Sequence, residues 1–160
     1  MVRAHGDKHA FGHKPVESAI DQSATTVNAA IERLQKVGLR PTRQRLALAE
    51  ILFGSGERHV TAEELHAEEV AVRVPVSLAT VYNTLNQFTR AGLLREVAIE
   101  SHRAYFDTNI SNHFHYYIES EELLLDIAAA DLTVTGLPQA PTGTQISRID
   151  IVVRLKPERA

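Results

Sequence analysis

The apolar residues of this chain keep a helical period as far as Gly92 and then switch to the alternation of strands. Such a chain must pack a group of helices first and a sheet second. Val27, Ile31, Leu34 and Val37 make one stripe, which Thr25 or Thr26 can cap and Gly38 can stop. Thr42 opens a second stripe with Leu46, Ala49, Leu52 and Phe53 inward, ending at Gly54. Thr61-Ala62-Glu63-Glu64 spells a capping box, in which hydroxyl and carboxylate each bond the other residue's backbone N–H. It starts a third helix that runs to about Val72, and Pro75 breaks the chain. Ser77 caps a fourth helix with Val81, Leu85 and Phe88 inward, and Gly92 ends it. Leu93–Ile99 and Arg103–Asp107 then read as two strands, with Glu100-Ser101-His102 turning between them.

Helices followed by a β-hairpin describe a winged helix, here residues 24–107 of an α+β chain. Residues 1–23 read as a polar, disordered tail. His5, His9 and His13 recur there at every fourth residue, but Gly6 and Gly12 oppose the helix that would align them. Residues 108–112 read as a linker. Residues 113–160 contain three strand-like runs, 113–119, 123–127 and 146–155, with a Gly- and Pro-bearing loop over 128–145. A three-stranded unit of about 50 residues is marginal alone and gains most by pairing with a copy of itself, so a homodimer is expected.

Composition narrows the chemistry. There are no cysteines, which excludes disulfides, thiolate catalysis, a four-Cys structural zinc and iron–sulfur clusters. Eight histidines remain, so a metal would be held by nitrogen and oxygen. No run is apolar for the ~20 residues a bilayer needs, and the N-terminus lacks an apolar signal core. No membrane association and a cytoplasmic location are therefore expected. Residues 1–107 hold 13 Lys and Arg against 13 Asp and Glu, so nucleic-acid binding has to rest on local clustering.

The helix before the wing is the one that enters a major groove. Its inward stripe leaves Ala79, Thr80, Tyr82, Asn83 and Asn86 outward. Asn can bond adenine in a bidentate way, Thr and Ala methyls can meet thymine methyls, and Tyr82 can stack or bond a phosphate. The helix N-terminus at Ser77 suits a phosphate. Arg40, Arg43 and Arg45 cluster at the start of the second helix and can neutralise phosphates or enter a narrow minor groove. Each of these residues is equally compatible with an ordinary solvated face.

His113-Phe114-His115 is the sharpest local chemistry. On a strand, residues i and i+2 share a face, so the two imidazoles converge. Asp126 on the next run, Asp107 at the end of the wing and His59 ahead of the third helix complete a set of three His and two Asp. That set suits Fe2+, Mn2+ or Zn2+. It draws on both halves of the chain, so an ion there would clamp the two halves and set the separation of two reading helices. A lone His-x-His pair is also common without a metal.

The stretches Gly38-Leu39-Arg40-Pro41-Thr42-Arg43-Gln44-Arg45, His59-Val60-Thr61-Ala62-Glu63-Glu64-Leu65, Leu78-Ala79-Thr80-Val81-Tyr82-Asn83-Thr84-Leu85-Asn86-Gln87-Phe88 and Ala91-Gly92-Leu93 resemble the ferric uptake regulator superfamily. The likeness runs over about residues 38–127. It implies a winged-helix DNA-binding domain, a small α/β C-terminal dimerisation domain, and control of transcription. His59, Asp107, His113, His115 and Asp126 fall on the five-ligand pattern of the superfamily's peroxide-sensing branch. The cysteine-free, short C-terminal region most resembles the iron response regulators of α-proteobacteria, which implies a response to haem as well as metal, with His113 or His115 as the haem ligand. The chain departs from that branch in carrying His13-Lys14-Pro15 instead of a Cys-Pro motif, and Phe114 inside a run that is otherwise all histidine.

Three readings follow. The first is a dimeric regulator, mainly a repressor of iron and haem genes, bound to double-stranded DNA at an A/T-rich inverted repeat and tuned by metal or haem. A peroxide- or manganese-responsive regulator is its near variant. The second is a small metal hydrolase using His113, His115 and the aspartates, for which the chain offers no evident base or pocket. The third is a constitutive DNA-binding module with a vestigial site.

Overall fold

The computed structural model describes residues 17–72, 75–99 and 102–158. The His-rich stretch at 5–13 and the tip of the wing at 100–101 lie outside them. Four helices come first: α1 (Glu17–Lys36), α2 (Arg43–Phe53), α3 (Ala62–Val72) and α4 (Leu78–Arg90). Two sheets accompany and follow them, built from β1 (His59–Thr61), β2 (Arg95–Val97) and β3 (Tyr105–Asp107), then β4 (His113–Ile118), β5 (Leu123–Ala128) and β6 (Val152–Leu155).

Helix α1 starts at Glu17, well ahead of the Thr25 or Thr26 cap expected from the stripe, so the expected tail loses its last residues to the helix. Of the expected stripe Leu34 is fully buried and Val27, Ile31 and Val37 are half-buried, and Ala30, which was not counted in it, is buried beside them. Gly38 ends it with φ at +76°, the left-handed region glycine adopts at little cost, and the Leu39 amide returns to the Leu34 carbonyl. The Thr42 hydroxyl caps α2 at the Arg45 amide. Thr61 and Glu64 form the reciprocal box: the Thr61 amide donates to Glu64 Oε2 over 2.8 Å and the Glu64 amide to Thr61 Oγ1 over 3.2 Å. Val81, Leu85 and Phe88 of α4 are fully buried and close the core against Leu34, Leu48, Leu52 and Leu65.

The wing has a third strand that the sequence pattern did not announce. β1 pairs antiparallel with β3, and β3 with β2, in the order β1-β3-β2. Three residues of β1 are too few to show an alternation. Their pairing is decided by β3, which offers a free edge, and by the Thr108 amide donating to the Arg58 carbonyl over 3.0 Å.

The second sheet has the order β5-β4-β6, with β5 antiparallel and β6 parallel to β4. The strand expected over 146–155 is paired only from Val152 onward. The crossover that parallel pairing requires holds a short 3-10 turn at Ala129–Asp131 within the stretch expected to be loop over 128–145. Gly136, Pro138, Pro141 and Gly143 oppose an α-helix there. The α+β class is as expected. Val97 and Tyr105 of the wing pack with Tyr117 and Leu124 of the second sheet, so the two sheets share a small apolar cluster.

Candidate metal centre and nucleic-acid interface

The two sheets meet at five side chains. His59 and Asp107 are directly opposed in the β1–β3 ladder. His115 and Asp126 are opposed in the β4–β5 ladder, and His113 lies two residues before His115 on the same face. One ligand atom from each of the five lies within 4.8 Å of all the others. His113 Nε2 stands 2.9 Å from Asp107 Oδ2 and 3.1 Å from His115 Nε2. His115 Nε2 stands 3.3 Å from Asp107 Oδ2, and His59 Nε2 2.9 Å from Asp126 Oδ1. Neighbouring ligands on one ion at the usual ~2.1 Å bond length sit about 3 Å apart.

The donor set also fits a cation by what it lacks. His59 Nε2 is buried, and its approach to Asp126 does not have hydrogen-bond direction, so the atom is left without a partner. His113 Nδ1 and the Ser111 carbonyl lie 3.0 Å apart, a contact that puts a proton on Nδ1 and a lone pair on Nε2. Three imidazole nitrogens and two carboxylates suit Fe2+, Mn2+ or Zn2+. Asp107, His113 and His115 are buried, whereas the Asp126 side chain is 41% exposed, so the cluster opens to solvent on that side.

Burial is the largest influence on His59 and disfavours its protonated form. Asp107 and Asp126 pull the other way and do not overcome it, so its pKa lies below the ordinary 6.5. Burial alone would raise Asp107. The hydrogen bond with His115, the Asn109 amide at 2.8 Å, and the charges of His59 and His113 outweigh it and hold the carboxyl below its ordinary 3.8.

The second candidate surface lies on α2 and α4. Ser77, Ala79 and Asn83 are exposed, Thr80 and Tyr82 half-buried, and Arg40 and Arg43 exposed. The Ser77 hydroxyl caps α4 by accepting from the Thr80 amide over 3.2 Å. Arg45 is more constrained than a solvated phosphate clamp. Its Nε and Nη2 both donate to Gln87 Oε1, over 3.1 and 2.7 Å, and its Nη1 to the Arg40 carbonyl over 2.8 Å. Arg45, Thr80 and Asn83 thus line one groove between α2 and α4. The Tyr82 hydroxyl donates to Glu63 Oε1 over 2.9 Å, and burial, then that bond, push its pKa up. Gln87 and Glu63 were not among the residues picked out from the sequence. Their signal was available, since both fall beside the outward faces of their helices.

Arg95 was also missed. It sits on β2 facing the same side as Val97 and is only 5% exposed. A charged residue on the inward register of a wing strand was the available clue.

Four helices carrying a three-stranded wing, tied to a second sheet through a shared three-histidine, two-aspartate cluster, define a winged-helix protein with a metal-type centre between its two units. Residues 36–136 match the sequence pattern of the ferric uptake regulator family, and the chain belongs to that family. It is 32% identical over 126 residues to the peroxide operon regulator of Bacillus subtilis, covering 78% of this chain and 86% of that protein. It is 35% identical over 85 residues to the ferric uptake regulation protein of Bordetella parapertussis, covering 53% of this chain and 61% of that one. The chain thus spans about three-fifths of that relative's length. The fold is similar to the Vibrio cholerae ferric uptake regulator, with a TM-score of 0.63 and 23% identity over 79% of this chain and 98% of that one. It is similar to the Pseudomonas aeruginosa ferric uptake regulator solved with manganese, with a TM-score of 0.63 and 21% identity over 81% and 98%. Among the described residues no helix is long and apolar enough to cross a membrane.

Proposed function

We propose that the chain is a dimeric, cytoplasmic regulator of transcription whose grip on DNA is set by a divalent ion held by His59, Asp107, His113, His115 and Asp126. The observation that carries this reading is the convergence of ligands from both sheets. The wing supplies His59 and Asp107, the second sheet supplies the rest, and the five meet within 4.8 Å. An ion bound there supplies a fixed double positive charge. The residues themselves do the rest: the ladders β1–β3 and β4–β5 hold the ligands in register, and closing them on one point fixes the wing against the second sheet. In a dimer that angle sets the spacing of two α4 helices, and successive major-groove half-sites stand ~34–36 Å apart.

The outer face of the second sheet supports the dimer. Tyr116 and Leu125 are cross-strand partners there, 38% and 44% exposed, and Leu123 and Leu155 continue the apolar surface. Reading of DNA falls to α4, with Ala79, Thr80, Tyr82 and Asn83 toward bases, Ser77 and Arg43 toward phosphates, and Arg40 and Arg45 at the rim. The lack of cysteine favours the iron response branch, acting mainly as a repressor of iron and haem genes at A/T-rich inverted repeats. The cluster favours a small ion over haem, because both His113 Nε2 and His115 Nε2 point at Asp107 and at each other. A haem would need one of those rings turned outward.

The test is DNA affinity of the metal-free chain against the chain loaded with Fe2+, Mn2+ or Zn2+, on duplexes that the chain itself recovers from a random pool. A difference of about 5- to 150-fold, abolished by His113→Ala with His115→Ala, is expected. Equal affinities would leave a constitutive binder. The alignment with the peroxide operon regulator covers 78% of this chain, which favours peroxide response as the second reading. Treating the Fe2+-loaded chain with hydrogen peroxide and measuring DNA release separates the two.

A further inference from the structure

We propose that Arg95 is a positioning residue that couples the His/Asp cluster to the reading domain. The inference rests on the metal-centre reading above and adds a residue that belongs to neither the ligand set nor the DNA surface. Arg95 opens β2, a short connection after the end of α4 at Arg90, and its backbone is paired with the ligand Asp107 across the β2–β3 ladder. Its side chain leaves the wing and crosses to the second unit. Nη1 donates to the Ser111 carbonyl over 3.1 Å, and Nη2 to the His113 carbonyl over 3.1 Å. Nη2 also lies 3.4 Å from His115 Nδ1, on the side of the ring opposite the cluster, and 3.8 Å from Asp150 Oδ1.

One guanidinium therefore holds the end of the linker and the backbone of one ligand. Toward His115 it can only donate, whereas a ring that offers Nε2 to an ion keeps its proton on Nδ1, so that approach is no hydrogen bond in a loaded site. The Ser111 carbonyl it holds is the same one that bonds His113 Nδ1, so Arg95 orients His113 through that shared carbonyl as well as through the His113 backbone. Only a planar fork with several donors can serve these acceptors together, and a lysine ammonium cannot span them. The placement has a cost: Arg95 Nε is buried with no partner. A side chain serving only to fill space would not carry an unsatisfied charged donor at that position. Groups behind metal ligands that fix ring orientation raise affinity, and their loss weakens it about 10- to 100-fold.

The experiment uses Co2+ as a spectroscopic probe on the full chain and on Arg95→Gln, Arg95→Lys and His115→Ala. It records Co2+ affinity, the visible absorption bands, the metal-free melting midpoint, and hydrogen exchange of residues 108–115 with and without Co2+. Arg95→Gln should bind Co2+ about 10- to 100-fold more weakly with altered bands, and Co2+ should no longer slow exchange in the linker. Arg95→Lys should fall between it and the unchanged chain, and it decides the matter if Arg95→Gln does not fold. Co2+ affinity and bands unchanged in either folded variant, with only the melting midpoint lowered, would overturn the proposal. If His115→Ala leaves Co2+ affinity unchanged, the metal-centre reading itself fails, which is a separate outcome.

Discussion

Asp107 and Asp126 carry the same group in opposite surroundings. Asp107 is 1% exposed beside three histidines, and Asp126 is 41% exposed. Water screens a charge at the open position and barely reaches the closed one. Asp107→Asn should therefore lower Mn2+ affinity by at least about tenfold, or about 1.4 kcal/mol, and Asp126→Asn by clearly less, in competition with a fluorescent chelator. Equal losses would mean that the buried carboxylate is not the central ligand. Acid acts on the metal-free chain through His59. Its pKa is lower folded than unfolded, so the unfolded chain takes the proton first. The stability it contributes is present above 6.5 and is lost as pH falls from there through the folded value. Asp107 contributes stability lost only below its ordinary 3.8. The melting midpoint of the metal-free chain should drop between pH 7.5 and 5.5, and His59→Asn should flatten that drop.

At the scale of elements, the short strand β1 is held at both ends. Thr61 ends it and opens the capping box of α3, while His59 begins it inside the cluster. Thr61→Ala removes the hydroxyl that caps the Glu64 amide and should cost about 1 kcal/mol in urea melts. It should also weaken Mn2+ binding, because β1 loses its anchor two residues from a ligand. Helices α2 and α4 are tied by the Arg45–Gln87 fork in the same way. Gln87→Ala frees the Arg45 guanidinium from α4, and DNA affinity measured over a salt series should change although Gln87 itself lies off the exposed face of the helix.

For the whole molecule, the outer face of β4 and β5 is where a second copy is expected. Leu125→Asp places a charge at the centre of that face and should convert a dimer to a monomer in light-scattering measurements. The metal-free melting curve should otherwise keep its helix signal, since the main core is built from α1–α4 together with Val60 and Phe106 of the wing and does not include Leu125. A variant that stays dimeric would move the interface elsewhere. Loss of DNA binding with retained Mn2+ binding is the further expectation, because one reading helix cannot span two half-sites.

Local pattern was enough to place most elements. The capping box, the stripe of α4 and the glycine stops are short-range physics, and they appear where the residues spelled them. The pairing of His113 with His115 was equally legible, since the period of a strand puts both on one face. His59 and Asp107 were not legible in that way. Nothing in their own neighbourhoods marks them as ligands: they join the set only by their places at the end of the wing and ahead of the third helix, and the family likeness puts them on a ligand pattern, before the β1–β3 ladder sets them side by side. The early start of α1, the strand β1, the parallel β4–β6 pairing and the crossing of Arg95 into the second unit were decided by contacts far apart along the chain. Hydrophobic period and capping act over a few residues and can be read from them. Which edges pair and which charges are shared depends on the surfaces present once the helices have packed, and that is a property of the tertiary structure.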